Sequence, residues 1–245
     1  MKSFIFKYLL GVTVIVGIVY MVRVELNQPY FKKFDGFDLK QLSKPIRTRG
    51  ELFRYKVDRF DPTISQPSQY VEMIVSDIIG DSVYYNVRKE FSNGVSKITQ
   101  YINDKNPMIE PYQEDTLVLQ TYRVFQQIDR NMFPLNSLSS LEYQYIENNE
   151  YDGTSQAVMT DCKVQDSRPL VFDNFMKLPV VTIMCEIKSE NYGYNKYYYY
   201  PPIGHWIKLE RARAAKHGIE LEIWNLIDYD SNREQFTDLF EENES

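Results

Sequence analysis

The residues of this sequence whose types could do chemistry are two cysteines, two histidines and a run of tyrosines. Cys162 and Cys185 lie in two strand-like segments, Ala157–Val164 and Val180–Ile187, and permit a single pairing. In an oxidising compartment, a disulfide between them would stabilise the fold by about 3 kcal/mol. The alternative is a pair of unbonded, buried thiols that act as small hydrophobic side chains.

Neither histidine stands in a pattern typical of catalysis. His205 lies in a turn between Gly204 and Trp206, and His217 precedes Gly218. A lone histidine in a turn is more often a hydrogen-bonding residue than a general base. Two isolated cysteines without nearby histidines do not make a tetrahedral metal site, and the glycines form no phosphate-binding loop. The sequence therefore predicts a protein that is not an enzyme and has no metal site and no cofactor.

The segment Tyr192–Tyr200 contains six tyrosines. Tyrosine combines a large apolar area with one hydroxyl, which protein interfaces favour. In a strand, Tyr197 and Tyr199 would face one side of the sheet and the two alternating tyrosines the other. The alternative is that the domain itself covers both faces. The candidate binding surface consists of Tyr197, Tyr198, Tyr199, Tyr200, His205 and Trp206.

An apolar segment from Phe4 to Val22 precedes the elements that must position these residues. Its 19 residues are close to the roughly 20 that cross about 30 Å of hydrocarbon as a helix. No small-residue cleavage site follows it, and basic residues on both flanks disfavour the alternative of a buried core helix. The sequence predicts a retained transmembrane anchor, represented by Phe4, Leu9, Val14, Ile18 and Val22.

The orientation of this anchor is not set by charge, because basic residues stand on both sides of it. The very short tail ahead of the apolar segment is typical of a signal anchor, which leaves the following domain outside the cytoplasm. We therefore expect a single-pass protein of the bacterial inner membrane with its C-terminal domain in the periplasm.

The chain divides into four regions: the anchor (1–24), a juxtamembrane linker (25–50), a β-rich extracytoplasmic domain (51–229) and an acidic C-terminal tail (230–245). The aromatic and lysine residues at 30–34 suit either the membrane interface or packing on the domain. A net charge of −6 without a basic stripe disfavours nucleic-acid binding. Twenty tyrosines and fourteen phenylalanines favour strands.

Period-two hydrophobic segments broken by turn residues fill the β-rich domain. They predict a mainly β fold, with a large antiparallel sheet that forms a curved sheet or half-barrel and few short helices. Ile79–Ser82 and Ser92–Gly94 mark hairpins, and Pro201, Pro202 and Gly204 mark a turn. Leu209–His217 is either a short helix or an extended strand. The predicted strands are Glu51–Phe60, Tyr70–Ile79, Ser82–Phe91, Ser96–Asn103, Thr116–Gln126, Ser140–Glu147, Ala157–Val164, Leu170–Phe172, Val180–Lys188, Asn195–Tyr200, His205–Glu210 and Ile219–Asp228.

Four segments resemble uncharacterised bacterial envelope proteins with a large antiparallel sheet, which are loosely similar to the lipoprotein-carrier fold. They are Met132–Leu135, Cys162–Val164, Val180–Cys185 and Tyr197–Lys208. In such proteins, a Phe-Pro-Leu segment often precedes a strand pair with cysteines, and a tyrosine-rich strand enters a Pro-Gly turn. The retained apolar segment departs from the carriers proper and disfavours a soluble shuttle.

Together these features predict a membrane-anchored binding or scaffold protein, an accessory subunit of an envelope assembly. Its expected partners are the membrane and other proteins of that assembly, with lipid as a further possibility. The alternative is a protein that binds a lipid or another apolar ligand, which requires an apolar cavity under the sheet.

Overall fold

The computed structural model describes residue 37 and residues 41–61, 67–90, 96–111, 113–116, 120–128, 132–171, 177–189, 192–215 and 218–231. All of them belong to one unit, Phe34–Ser245. The predicted anchor and nearly all of the acidic tail lie outside the described residues. Among the residues that are described, no helix is long and apolar enough to span a membrane.

Twelve strands and one short 3-10 helix make up the regular structure of the described ranges. Strands on the N-terminal side are β1 (Leu52–Phe60), β2 (Gln69–Ile79), β3 (Ser82–Glu90), β4 (Ser96–Asp104), β5 (Gln113–Thr116) and β6 (Gln120–Ile128). Those that follow are β7 (Ser140–Asn149), β8 (Thr154–Val171), β9 (Lys177–Lys188), β10 (Gly193–Tyr200), β11 (His205–Ala215) and β12 (Gly218–Asp230). The 3-10 helix, Pro201–Ile203, forms the predicted turn and ends at Gly204, whose φ of 62° favours glycine.

Each strand pairs antiparallel with its neighbour in sequence, and β1 pairs with β12, so the sheet closes into a barrel. The predicted mainly β fold with a large antiparallel sheet is confirmed. The predicted curved sheet or half-barrel is corrected, because both edges are paired with each other. This closing pair joins Leu52 to Asp230, and a local hydrophobic pattern carries no information about a partner so far along the chain.

Several strand boundaries differ from the predicted ones. Thr116–Gln126 was predicted as one strand, but Thr116 is the last residue of β5 and residues 120–126 belong to β6. β8 continues through Pro169, where the sequence predicted a break, because Pro169 stands opposite Pro179 and neither has an N–H to leave unpaired. Leu209–Ala215 is part of strand β11, so of the two predicted alternatives, a short helix or an extended strand, the strand is correct.

The barrel interior is built from buried hydrophobic side chains on the inward faces of the strands, and many of them are aromatic. Phe53, Tyr55 and Val57 alternate along β1 and are each at most 1% exposed. The Tyr55 ring lies 4.4 Å from that of Trp206, and Trp206 meets Trp224 edge to face at 6.0 Å. Full burial of such side chains stabilises the fold by about 1.5–3 kcal/mol each, and favourable ring pairs add about 0.5–1.5 kcal/mol.

Connecting segments fill one end of this interior. Residues 105–111, between β4 and β5, place Met108 and Ile109 in the core, where the Tyr143 hydroxyl donates to the Met108 carbonyl at 3.3 Å. The N–H of Leu135 donates to the Leu42 carbonyl at 2.7 Å and joins the segment before β1 to the one before β7. Because these segments fill the end at which β1 begins, we call it the closed end.

The predicted disulfide is confirmed. Cys162 on β8 stands directly opposite Cys185 on β9, their sulfurs are bonded at 2.03 Å, and both side chains are buried on the inward face. The bond therefore joins neighbouring strands within the core.

Replacing both cysteines by alanine should lower the free energy of unfolding by about 3 kcal/mol, because the unfolded chain regains the entropy of a loop closed across a sequence separation of 23. Urea unfolding, followed by near-ultraviolet circular dichroism, measures this loss. Adding reductant should destabilise the wild-type protein and leave the double variant unchanged. An identical midpoint for the two proteins without reductant would contradict the prediction.

Candidate functional site

The candidate binding surface predicted from the tyrosine run is divided by the structure. As alternation required, Tyr197 and Tyr199 face the interior and are 3% and 0% exposed, while Tyr198 and Tyr200 are partly exposed. His205 and Trp206 are also core residues. Four of the six residues therefore do not lie on the surface. The turn residues Pro201, Pro202 and Gly204 suggested exposure, whereas the segment before β1 covers this turn.

The outward Tyr198 forms a polar cluster with its neighbours on β10 and β11. Its hydroxyl donates to Glu210 Oε1 at 3.0 Å, and the ammonium groups of Lys196 and Lys208 each lie 5.2 Å from the centre of its ring. Burial and the nearby Glu210 carboxylate raise the pKa of Tyr198 to about 12, so the phenol stays protonated. The hydroxyl of Tyr198 is therefore satisfied within the domain.

His205 is held in the core. Its Nδ1 lies 3.0 Å from the Tyr55 hydroxyl and 3.1 Å from the Trp206 carbonyl oxygen, and its ring packs on Phe53 with centres 4.5 Å apart. Burial lowers the pKa of His205 well below 6.5, and the nearby Arg47 guanidinium lowers it further. The imidazole is therefore neutral at neutral pH.

At the end opposite the closed end, the inward face changes from aromatic to charged residues. The stripe of Phe53, Tyr55 and Val57 on β1 continues to Arg59, and Leu209 on β11 is followed by inward arginines. We call this the open end, and it contains a cavity of about 820 Å³. Seven inward charged residues, which we call the charged cluster, line it: Arg59, Glu110, Arg123, Glu147, Arg211, Arg213 and Glu222.

Two ion pairs of the charged cluster join directly opposed residues of neighbouring strands. Arg59 on β1 stands opposite Glu222 on β12, with Nε 2.6 Å from Oε1. Arg123 on β6 stands opposite Glu147 on β7, with Nη2 2.6 Å from Oε2. The strand register therefore brings these charges together, and each arginine is held beside one carboxylate.

Glu110 reaches the cluster from the segment that fills the core. Its Oε1 accepts a hydrogen bond from Asn195 Nδ2 at 2.8 Å, and the guanidinium groups of Arg211 and Arg213 lie 3.7 Å from its carboxylate. Burial alone would raise the pKa of Glu110, but Arg211, Arg123, Arg213 and the Asn195 hydrogen bond lower it to about 2. Glu110 is therefore ionised at neutral pH.

Arg213 lies on β11 and is held in place by its own hydrogen bonds. Nη1 donates to the carbonyls of Tyr194 and Ala212 at 3.1 and 2.8 Å, and Nη2 donates to Asn195 Oδ1 at 3.0 Å. Gly193 makes room for this side chain, because a Cβ there would lie 2.7 Å from Arg213 Cδ and 2.5 Å from the Ala212 carbonyl oxygen. The guanidinium is thus oriented before any ligand arrives.

Arg211 is held less completely. Its guanidinium lies 3.7 Å from both Glu110 and Glu222, beyond hydrogen-bond reach, and its buried Nε has no partner among the described residues. The side chain is 30% exposed and also lines a second cavity of about 280 Å³. Arg59, Glu110, Arg123 and Glu222 line this smaller cavity as well.

The charged cluster can form hydrogen bonds in both directions. At neutral pH its arginines are donors and Glu110 is an acceptor, and a carboxylate with a pKa of about 2 is a poor general acid or base at that pH. Within the described ranges, no group of three or more His, Cys, Asp or Glu residues is arranged to hold a metal ion.

Sequence reasoning missed the charged cluster. Its members come from five strands and one connecting segment, and no two of those that touch across strands stand in one motif. One signal was available: the inward positions of several predicted strands become charged at the same end of the sheet, as at Arg59 and Glu147.

The Glu110→Gln variant should be less stable than the wild-type protein by about 3 kcal/mol at pH 7. The pKa of Glu110 is about 2 in the folded protein, against an ordinary value of 4.5. The ionised carboxylate therefore contributes to the free energy of unfolding above pH 4.5, and this contribution is lost as the pH falls towards 2. Urea unfolding at steps between pH 7 and pH 3 measures the free energy of unfolding of both proteins. The difference in this free energy between wild type and Glu110→Gln should become smaller as the pH falls.

A matched variant, Glu186→Gln, controls for the change in net charge, because Glu186 is exposed on the outer face of β9. The same difference in free energy of unfolding at pH 7 and pH 3 would contradict the prediction, because the loss would then come from packing and not from charge.

No known protein family and no curated protein matches this chain. Among solved structures, it is similar to the hypothetical lipoprotein YmcC from Escherichia coli K12, at 8% identity and a TM-score of 0.42 over 86% of this chain and 94% of that one. It is also similar to a protein thought to be exported, with a YmcC-like fold, from Bacteroides fragilis NCTC 9343, at 8% identity and a TM-score of 0.45 over 77% of this chain and 99% of that one. These likenesses do not extend to the lipoprotein-carrier fold.

Proposed function

We propose that this chain is a binding protein of the bacterial cell envelope, an accessory subunit of a membrane assembly, and that it binds through the open end of its barrel. The observation that supports this role is the 820 Å³ cavity lined by the charged cluster. Concave sites of about 300–1,000 Å³ with a few convergent polar groups are typical of ligand binding.

Stability alone does not account for the charged cluster. Replacing partly buried ion pairs by apolar residues of similar volume is often neutral or stabilising, so such pairs are weak evidence for a structural role. Arg123 and Glu147 are 11% and 23% exposed, and Glu110 is 9% exposed. Seven charges concentrated at one end of an otherwise largely hydrophobic interior therefore support a role in recognition.

Binding, not catalysis, fits the chemistry of these groups. General acid–base catalysis is most effective with a pKa near the working pH, and the pKa of Glu110 is about 2. The pKa of His205 is far below 6.5, so its imidazole is a weak base at neutral pH. The charged cluster instead presents fixed donors and acceptors.

The alternative role, binding of a lipid or another apolar molecule, has less support. The two cavities at the open end are both lined by Arg59, Arg123 and Arg211, and an acyl chain placed there would desolvate these charges without pairing them. Native mass spectrometry of the purified 245-residue chain tests this alternative, and bound lipid without any protein partner would favour it over our proposal.

Placement outside the cytoplasm, with retention at the inner membrane, is part of the proposal. The Cys162–Cys185 disulfide supports an oxidising compartment, because such bonds are rare in cytosolic proteins. The apolar segment that contains Phe4 and Val22 supports retention at the membrane.

Site-specific photocrosslinking in the producing cells tests binding at the open end. Benzoylphenylalanine at Phe60, which lines the larger cavity and is 55% exposed, should give a discrete adduct on gels or by peptide mass spectrometry. The matched control is Ile79, which is 59% exposed at the closed end, since β2 runs antiparallel to β1. Adducts of equal yield from both positions, or from neither, would contradict the proposal.

A further inference from the structure

We propose that the open end binds the anionic oxygen group of a small polar ligand, a carboxylate or a phosphate, and that Arg211 is the residue that contacts it. This inference rests on the proposed binding role of the open end and specifies the chemistry of what is bound. Planar guanidinium groups recognise both oxyanions through charge-assisted, often paired hydrogen bonds.

Arg211 has donors to offer. A guanidinium carries five N–H groups. In Arg211, Nη2 lies 3.7 Å from the Glu110 carboxylate and Nη1 lies 3.7 Å from the Glu222 carboxylate. Its Nε is buried and has no hydrogen-bond partner in the part of the chain that the structure describes, as is also true of the Nε atoms of Arg59 and Arg123. Arg211 differs from Arg59 and Arg123 in the distance from its guanidinium to the nearest carboxylate, and on a side chain that is 30% exposed its Nη groups can donate to an acceptor brought by a ligand.

Neighbouring carboxylates are engaged elsewhere. Glu222 lies 2.6 Å from Arg59, and Glu110 accepts the hydrogen bond from Asn195. Arg213 is also engaged, through hydrogen bonds to Tyr194 and Asn195 on β10 and to the carbonyl of Ala212 on its own strand. Arg59 and Arg123 each lie 2.6 Å from a carboxylate, and Arg213 donates three hydrogen bonds. Arg211 is 30% exposed and lies no closer than 3.7 Å to a carboxylate, so its donors are the ones left for a ligand.

The balance of charge locates the anionic group in the smaller cavity. Two carboxylates and four cations line it: Glu110, Glu222, Arg59, Lys89, Arg123 and Arg211. Because Glu147 lies 2.6 Å from Arg123 and neutralises it, one positive charge is left in excess. Five carboxylates and four arginines line the larger cavity, because Asp61 and the exposed Glu220 belong to its wall. An oxyanion is therefore attracted to the smaller cavity, while the larger one accepts the remaining polar part of the ligand.

Size and lining narrow the ligand further. A cavity of about 280 Å³ admits one ring-sized or phosphate-bearing unit. Tyr197, Trp206 and Trp224 contribute aromatic surface to it. Such a wall packs against the apolar face of a ring while the arginine binds the anionic group.

Isothermal titration of the purified 245-residue chain tests this proposal with three probes: inorganic phosphate, glucuronate and glucose. Glucuronate and glucose share one ring and differ in a carboxylate against a hydroxymethyl group. Wild type should bind phosphate or glucuronate saturably and glucose at least about tenfold more weakly. Arg211→Gln should weaken binding of the anion at least about tenfold, and Arg211→Lys should weaken it less, because the charge remains without the planar fork.

The matched control is Arg168→Gln, since the Arg168 side chain on β8 is 80% exposed and does not line either cavity. It should bind like wild type. Preference for phosphate identifies a phosphorylated ligand, and preference for glucuronate identifies a carboxylate. The proposal is overturned if neither anion binds, if Arg211→Gln binds as tightly as wild type, or if glucose binds as tightly as the anions. The last result would leave binding at the open end intact.

A second measurement on the wild-type protein covers the case in which Arg211→Gln does not fold. Phenylglyoxal modifies accessible arginines, and peptide mass spectrometry reports the extent at each position. The bound anion should protect Arg211 and leave Arg168 unprotected. Equal modification of Arg211 with and without saturating anion would overturn the proposal.

Discussion

Closure of twelve strands into one sheet creates an interior that side chains must fill or leave open. A barrel of about eight strands is just filled by its own inward side chains, and the diameter grows roughly linearly with strand number. Here hydrophobic residues, many of them large and aromatic, occupy the inward positions, and the segment that carries Met108 and Ile109 fills part of the remaining space. At the open end no comparable segment is found among the described residues, and charged side chains line the cavity. The core and the candidate site are thus two outcomes of one geometric constraint.

Glu110 connects these two regions. It follows Met108 and Ile109 directly in sequence, so the segment that fills the core also delivers a carboxylate to the arginines. Removing one member of a buried charge network leaves its partners uncompensated, which is more damaging than replacing the whole network. The position of Glu110 therefore couples the electrostatics of the open end to the packing of the interior. The packing of the core thus sets where this carboxylate stands among the arginines.

The sequence predicted those features that depend on local pattern or on a forced choice. Alternation along β1 and the separation of Tyr197 from Tyr198 follow from strand geometry, and two cysteines allow only one disulfide. Features that depend on register between distant strands were not predictable, because Arg59 and Glu222 form a pair only once β1 meets β12.

Misassignments arose where tertiary contacts override a local signal. His205 and Trp206 follow a turn, which suggested exposure, but the segment containing Arg47 covers that turn and donates to the carbonyls of Ile203 and Gly204. The inward path of residues 105–111 has no periodic pattern that would have revealed it. Arg211 lay in a stretch that matched a helix as well as a strand, so its side chain could not be assigned to a face of the sheet.

The seam between β1 and β12 has a consequence for how the chain reaches its folded state. The Tyr229 hydroxyl donates to Glu51 across a sequence separation of 178, and the whole seam is of this long-range kind. Folding slows as contacts become more distant in sequence. Until the last strand is synthesised or delivered, β1 and β11 both present unpaired backbone groups, which are templates for pairing with other chains. The unfinished molecule therefore has two edges at which it can pair with other chains, and closure of the barrel removes both.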